Sequence, residues 1–320
     1  MPIVDLDLGE VFAGRKTGNM IRGWDVPQPY TPAVDDNYIL PEYAQDILMA
    51  FRTNQNVWVF GPQGTGKSSA VRYIAAKLNW PVYEVTAHSR LEFPELCGAY
   101  HVQDGNMVWH DGPLVSALRG GGLLVVSEVS LLDPSTAAGL NAILDGMPLF
   151  VPETNEYVQR HPEFRFAVTD NSNGTGDATG LYQGVLRQNA AFTSRFMYSR
   201  AEYLSPKQEI AMMQRKVPSL PEEVITKMVE MANIIRRSYI GNTDENASDA
   251  TDDFTYQIPI TMSPRDLLRW GELTVAYSFL RNRGVDVVSY AFDRAFAFRA
   301  DNATRMTLKE LKQRVFPHNS

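Results

Sequence analysis

Short apolar runs alternate with segments of helical periodicity between about residue 41 and residue 204. Five of these runs have the length and composition of buried β-strands, at residues 57–60, 82–86, 123–126, 164–169 and 196–199. Strand–helix–strand units that build one parallel sheet explain such an alternation. The pattern predicts a three-layer α/β domain over residues 41–204.

Helical periodicity fills the intervals between the predicted strands. Apolar residues recur at helical spacing within residues 41–52 and 68–78. Asp133 followed by Pro134 has the form of an N-cap with proline at the first helical position. These segments supply the outer layers of the predicted domain.

Beyond Leu204 the strand signals fade and capped helices follow. Ser205 with Gln208 and Ser219 with Glu222 both fit the capping-box pattern, and the many methionines after residue 211 suit a helical core. Residues 205–320 therefore predict a small helical domain. Its one interruption, the acidic stretch 241–253, is typical of a solvated loop; cation binding is the less favoured alternative, because EF-hand spacing is absent.

Residues 1–40 are rich in proline, glycine and short polar stretches. This composition predicts an irregular arm or a small docking element.

Composition and charge narrow the class of protein. The chain has 320 residues, 44% of them hydrophobic, yet its apolar runs are shorter than the ~20 residues of a membrane span. The start of the chain is acidic where a secretory signal would be basic, and the single cysteine, Cys97, fits a reducing compartment, so a cytoplasmic protein without membrane contacts is expected. The net charge of -7 argues against broad nucleic-acid binding, although it leaves room for a local basic groove.

A complete phosphate-binding P-loop follows the first predicted strand. It consists of Gly61, Pro62, Gln63, Gly64, Thr65, Gly66, Lys67 and Ser68, with Ser69 next in the helix. Glycines let backbone N–H groups turn toward phosphates, the lysine reaches the β and γ phosphates, and the serine hydroxyl can ligate Mg²⁺. The strand–turn–helix context favours this interpretation over a chance glycine-rich loop, and it predicts ATP and Mg²⁺ as ligands.

Hydrolysis requires a second strand that ends near the γ-phosphate with a metal-orienting Asp and a water-polarising Glu. The run 123–126 ends in Ser127 and Glu128, so a serine stands where the aspartate is expected. Ser127 can hydrogen-bond a metal-bound water but adds no negative charge, which predicts a less firmly bound Mg²⁺. We expect Ser68 and the phosphates to compensate and hydrolysis to persist, even if slowly, with Glu128 as the residue that polarises the attacking water.

These residues resemble the AAA+ superfamily and, within it, the MoxR-like branch. Residues 112–118, the glycines that follow, the strand before Ser127 and residues 140–145 are similar to that branch's signature. A narrower likeness connects the chain to the CobS family, the small subunits of aerobic cobaltochelatase. It rests on residues 11–12, 26–27, 77–81, 161–165, 171–182 and 262–265.

The resemblance implies roles for three further residues. Asn171 matches sensor 1, which positions the attacking water beside Glu128; Arg195 matches the arginine finger that reaches the ATP of a neighbouring subunit; and Arg265 matches sensor 2 on the helical lid. An arginine fork can pair with phosphate oxygens and offset charge that develops during transfer. Surface salt bridges and a turn-forming asparagine are the alternatives.

The resemblance also implies an assembly and a partner. The family forms rings, typically hexamers, with ATP between subunits, and carries hairpins that project toward a partner or the pore. Residues 99–102 and 107–110 predict one hairpin, and residues 149–160 are a candidate for another. Cys97, His101 and His110 suggest a metal site, but ordinary polar residues on a half-exposed hairpin fit better because paired ligand spacing is missing.

Several functions fit these features. The leading hypothesis is a ring-forming ATPase that remodels a partner, like the CobS motor that drives cobalt insertion into a corrin precursor with a separate, CobT-like von Willebrand A protein. Alternatives are a MoxR-type chaperone for another client, a phage or mobile-element relative with an unrelated target, and a nucleotide-gated scaffold with little hydrolysis. A small-molecule kinase is less favoured because the two arginines would lose their roles.

Overall fold

A computed structural model describes residues 2–176, 184–239 and 258–317. The chain divides into two compact units. The first comprises Met1–Asp36, Leu40–Pro62 and Gly66–Glu202, and the second comprises Asn37–Ile39, Gln63–Thr65 and Tyr203–Ser320. The predicted acidic loop at 241–253 and part of the 171–182 motif lie outside the described residues.

The strands, in chain order, are β1 Ile3–Asp7, β2 Met20–Trp24, β3 Asn56–Phe60, β4 Val82–Thr86, β5 Gly98–Gln103, β6 Asn106–Asp111, β7 Gly122–Ser127, β8 Leu149–Val151, β9 Glu156–Val158, β10 Phe164–Asp170 and β11 Phe196–Arg200. The α-helices are α1 Leu8–Ala13, α2 Ala44–Arg52, α3 Lys67–Lys77, α4 Phe93–Cys97, α5 Pro113–Gly120, α6 Pro134–Gly139, α7 Asn141–Leu144, α8 Ala190–Thr193, α9 Pro206–Lys216, α10 Glu222–Arg237, α11 Pro264–Ala276, α12 Val287–Ala295 and α13 Asn302–Val315. Among the described residues, no helix is long and apolar enough to cross a membrane.

The five predicted strands form one parallel sheet, in the spatial order β11, β3, β10, β7, β4. Its central strands are buried on both faces, with side chains alternating between two cores. Val57 and Leu123 face α2 and α3 on one side, whereas Trp58 and Leu124 face α5 and α7 on the other. The predicted three-layer α/β fold is therefore confirmed.

The chain start is more regular than its composition suggests. β1 and β2 pair antiparallel, and the Asp7 side chain caps α1 between them by accepting the N–H groups of Gly9 and Glu10. Trp24 is buried beside the core that contains Phe51. The irregular-arm alternative is therefore wrong for residues 3–24, because capping and aromatic burial order a segment that is rich in turn-forming residues. The docking-element alternative stays a prediction.

Both predicted hairpins are present. β5 pairs with β6, and β8 pairs with β9, each antiparallel. The Tyr100 hydroxyl of the first hairpin donates to the Glu153 carbonyl in the turn of the second, at 2.8 Å. Arg119 bridges them, since it pairs with Asp111 at 2.9 Å and with Glu156 at 2.6 Å.

The second unit is helical, as predicted. Ser205 and Gln208 form the predicted capping box at the start of α9, and Met213, Met228 and Met231 are fully buried. The capping box predicted for Ser219 is wrong. Helix α10 begins only at Glu222 after an N-cap at Pro221, which places Ser219 outside the first helical turn.

Candidate nucleotide-binding site

The P-loop connects β3 to α3 at the carboxyl edge of the sheet. Strand β3 ends at Phe60, and α3 begins at Lys67 after Gly66, whose φ of 84° is left-handed. Gly61 has a φ of 146°, and a Cβ there would lie 2.2 Å from the Ala201 carbonyl oxygen. A side chain at this position is therefore excluded by both backbone conformation and space. The loop passes directly into the N-terminus of an α-helix, which is the arrangement that binds phosphate.

Lys67 is buried at the centre of the site. Its Nζ donates to the carbonyl oxygens of Gly61 at 2.8 Å and Pro62 at 2.9 Å, and to Asn171 Oδ1 at 3.1 Å. Burial lowers the pKa of Lys67 to about 8, and the negative charges of Glu128 and Asp170 oppose that shift. The ammonium group thus sits under the loop with neutral oxygen partners that phosphate oxygens can replace.

Glu128 and Asn171 complete a line of polar groups that begins at Lys67. Asn171 Nδ2 donates to Glu128 Oε2 at 3.2 Å, while its Oδ1 accepts from Lys67. Glu128 directly follows β7 and has a left-handed φ of 57°, a conformation that non-glycine residues rarely adopt. Burial, together with the charge of Asp170, raises the pKa of Glu128, and the Lys67 charge opposes this. One asparagine therefore connects the P-loop lysine to the carboxylate of the second strand.

Asp170 fixes the backbone on which Asn171 sits. This fully buried carboxylate accepts from the Ser130 hydroxyl at 2.5 Å, from the Ser172 amide at 2.9 Å and from the Ser172 hydroxyl at 2.7 Å. Sequence reasoning missed Asp170, because its partner Ser130 lies on a separate segment of the chain. The sequence signal was an aspartate at the end of a largely apolar strand.

Three hydroxyl groups cluster beside the P-loop. Ser68 Oγ lies 3.1 Å from Thr169 Oγ1 and 3.4 Å from Ser127 Oγ. Thr169 and Ser127 are partners in the register of β10 and β7, and the Thr169 hydroxyl donates to Ser127 at 3.2 Å. Mg²⁺ prefers oxygen ligands and usually retains several waters, so this set of neutral oxygens fits a divalent ion bound together with nucleotide phosphates.

Arg195 lies at the amino ends of the strands, whereas the P-loop lies at their carboxyl ends. It precedes β11, and its carbonyl accepts from the Asn56 side chain at the start of β3, whereas the P-loop follows the end of β3. That strand spans roughly 13 Å between its end residues. The Arg195 guanidinium pairs with both oxygens of Asp145, at 2.8 and 2.6 Å. Within one subunit, then, Arg195 does not join the Lys67 cluster.

Arg265 belongs to the second unit, in the first turn of α11. Its side chain is exposed. The helix begins at a capping box in which Ser263 and Asp266 exchange hydrogen bonds. The role of Arg265 stays a prediction.

Among the described residues, no group of three or more His, Cys, Asp or Glu side chains is placed to bind a metal ion. His101 and His110 stack edge to face at 4.9 Å on the first hairpin, and burial raises the pKa of the Cys97 thiol to about 11.

Comparison with known proteins agrees with this geometry. Residues 56–196 match the AAA domain family of the dynein-related subfamily. The chain is 28% identical to the aerobic cobaltochelatase subunit CobS of Sinorhizobium sp, over 99% of this chain and 92% of that protein. It is also 28% identical to the denitrification regulatory protein NirQ of Pseudomonas aeruginosa, over 62% of this chain and 74% of NirQ.

A solved structure supports the fold alone. A point mutant of Thermotoga maritima RuvB aligns with a TM-score of 0.52 at 12% identity, over 88% of this chain and 87% of RuvB. Together with the match to the AAA domain family, this likeness gives the chain the AAA+ P-loop fold.

The lowered pKa of Lys67 predicts a pH dependence for nucleotide binding. In the nucleotide-free protein, the Lys67 side chain loses its proton as the pH rises through about 8, rather than near 10.5. A neutral Lys67 attracts phosphate less, so ADP affinity should fall by roughly tenfold per pH unit above that value. Isothermal titration calorimetry at a series of pH values measures this. The Lys67→Arg variant stays charged over this range, so any affinity it retains should not decline; an equal decline in both proteins would contradict the assignment.

Proposed function

We propose that this chain is an AAA+ ATPase of the MoxR and CobS type, which hydrolyses ATP with Mg²⁺ as a ring-forming subunit and remodels a partner protein. The single observation that supports this most strongly is the line of contacts from Lys67 through Asn171 to Glu128. These three groups are a phosphate-binding cation, a positioning amide and a carboxylate for the attacking water. Together they supply the parts that phosphoryl transfer to water requires.

Each residue has a separate task in the proposed reaction. Lys67 exchanges its carbonyl partners for β- and γ-phosphate oxygens, and the P-loop backbone fixes the phosphates in line with the attacking water. Glu128 accepts a hydrogen bond from that water, and Asn171 positions the carboxylate and the water together. Ser68 and Ser127 would bind Mg²⁺, which offsets the negative charge of the phosphates when bound.

The raised pKa of Glu128 suits a group that accepts a proton from the attacking water. Its burial makes the carboxylate a stronger base than a solvated one. Lys67 opposes this effect, so nucleotide phosphates that draw the lysine away leave Glu128 more basic. The site is therefore expected to acquire its full basicity only when ATP is bound.

Removing the Glu128 carboxylate tests hydrolysis directly. The Glu128→Gln variant should bind ATP with the affinity of the unmodified protein, because the amide keeps the shape of the side chain. Its steady-state phosphate release should fall by about a hundredfold or more, since general-base catalysis is lost. Glu156→Gln, a hairpin carboxylate in an exposed salt bridge, is the matched control and should keep full activity. Unchanged turnover in Glu128→Gln would refute the assignment.

The position of Arg195 supports a site shared between subunits. Because it lies at the sheet edge opposite its own P-loop, a role on ATP requires the P-loop of a neighbouring copy. Its pairing with Asp145 keeps the guanidinium at the surface in the isolated subunit, with 25% of the side chain exposed. We therefore assign it the role of an arginine finger in trans, in a ring that is expected to be hexameric.

An Arg195→Ala variant should separate nucleotide binding from turnover. ATP affinity should be retained, while turnover should fall by about a thousandfold or more, the usual contribution of an arginine finger. In mixtures with unmodified protein, activity should fall more steeply than the fraction of unmodified subunits. Arg119→Ala, which removes another surface salt bridge, is the control. A normal turnover rate in Arg195→Ala would contradict a finger in trans.

The identity of the client separates two finer functions. Similarity to CobS extends over 99% of the chain, which favours the motor of a cobaltochelatase with a separate von Willebrand A subunit. Similarity to NirQ, at the same identity over 62% of the chain, favours a chaperone for another enzyme. ATP-dependent cobalt insertion into a corrin precursor, reconstituted with a von Willebrand A protein encoded beside this chain, would distinguish the two.

A further inference from the structure

A series of hydrogen bonds leads from the P-loop serine to a carboxylate on the edge strand β4. Ser68 contacts Thr169, the Thr169 hydroxyl donates to Ser127, and the Ser127 hydroxyl donates to Glu84 Oε1 at 3.1 Å. Glu84 pairs with Val125 in the register of β4 and β7, so it reaches Ser127 diagonally. A glutamate is long enough for that reach. The carboxylate missing at position 127 is thus present one strand away.

The direction of these bonds determines what Ser127 offers to the site. Its hydrogen points to Glu84, so its oxygen presents lone pairs toward Thr169 and Ser68. Donation to a carboxylate is a charge-assisted bond, and it polarises the hydroxyl and makes the oxygen a better acceptor. Since Ser127 is only 8% exposed, water competes little with this bond. Ser127 with Glu84 behind it therefore resembles a carboxylate more closely than an isolated serine does.

Arg72 fixes the orientation of Glu84. Its Nε donates to Glu84 Oε2 at 2.6 Å, and this leaves Oε1 for Ser127. Arg72 and Ser68 are four residues apart on α3, so they lie on the same face of that helix. One helix thus carries the P-loop serine and the arginine that orients the Glu84 carboxylate toward Ser127.

We propose that Glu84, acting through Ser127, supplies the negative charge that stabilises the divalent ion in this ATPase. Glu84 is a positioning residue, because Ser127 stands between it and the ion. The proposal rests on the proposed nucleotide site and extends it. It explains how a chain with serine in place of the usual aspartate can retain a metal-dependent reaction.

The Mg²⁺ requirement of ADP binding tests this without reference to turnover. Calorimetric titration of ADP at a series of Mg²⁺ concentrations gives the concentration for half-maximal enhancement of binding. In Glu84→Gln that concentration should rise about tenfold, the usual effect of removing a partner behind a metal ligand. ADP affinity in excess EDTA should not change. Adding Ser127→Asp to Glu84→Gln should restore the original Mg²⁺ requirement.

Two further variants separate this role from a merely structural one. Arg72→Gln removes the salt bridge that orients Glu84 but keeps the carboxylate, so its Mg²⁺ requirement should rise by less than that of Glu84→Gln. Ser127→Ala breaks the same connection from the other side and should reproduce the rise of about tenfold. Combining it with Glu84→Gln should add nothing, because both changes interrupt one chain of contacts. If Glu84→Gln does not fold, the Mg²⁺ requirement of Ser127→Ala still tests whether Glu84 acts through Ser127.

Failure of the Glu84 proposal can be distinguished from failure of the proposed ATP hydrolysis. If the unmodified protein binds Mg²⁺ with ADP but releases no phosphate from ATP, hydrolysis is refuted, while the Mg²⁺ titration still decides the role of Glu84. An identical Mg²⁺ dependence in the unmodified protein and in Glu84→Gln or Ser127→Ala, including none in all of them, overturns the proposal.

Discussion

The site depends above all on the parallel register of β3, β10, β7 and β4. Because these strands run in one direction, the residues that follow them meet at one edge of the sheet. That register places Thr169 opposite Ser127 and brings Asn171 between Lys67 and Glu128. A one-residue slip would move every one of these side chains to the other face. The apolar alternation of the central strands, buried in two separate cores, prevents such a slip and so maintains the chemistry.

Charge balance is the second constraint on the site. A buried lysine is costly unless negative groups lie near it, and Glu128 and Asp170 fulfil this role for Lys67. The Asp170 carboxylate is in turn stabilised by hydrogen bonds from hydroxyl and amide donors. An aspartate at position 127 would add a further carboxylate next to Glu84. Serine there, with the charge on β4, distributes negative groups without placing two of them in contact.

The sequence predicted most of the fold, since its strands are apolar runs and its P-loop is a contiguous motif. All five sheet strands were located to within one residue at either end, and Lys67, Ser68, Ser127, Glu128 and Asn171 do cluster. The features that sequence reasoning missed arise from contacts between segments that are distant in the chain. The roles of three residues depend on contacts with other strands or loops: Glu84, Thr169 and Asp170. Strands β1 and β2 are ordered by the burial of Trp24. The opposite placement of Arg195 likewise requires the three-dimensional sheet.

The central claim is that ATP is hydrolysed at a site completed by a second subunit. Steady-state phosphate release by the unmodified protein with Mg²⁺, measured over a range of protein concentrations while sedimentation velocity reports assembly, tests it most directly. The account predicts that turnover per subunit rises together with the fraction of protein in rings. Tight nucleotide binding without turnover in the assembled state, or a turnover per subunit that is the same for monomer and ring, would contradict it.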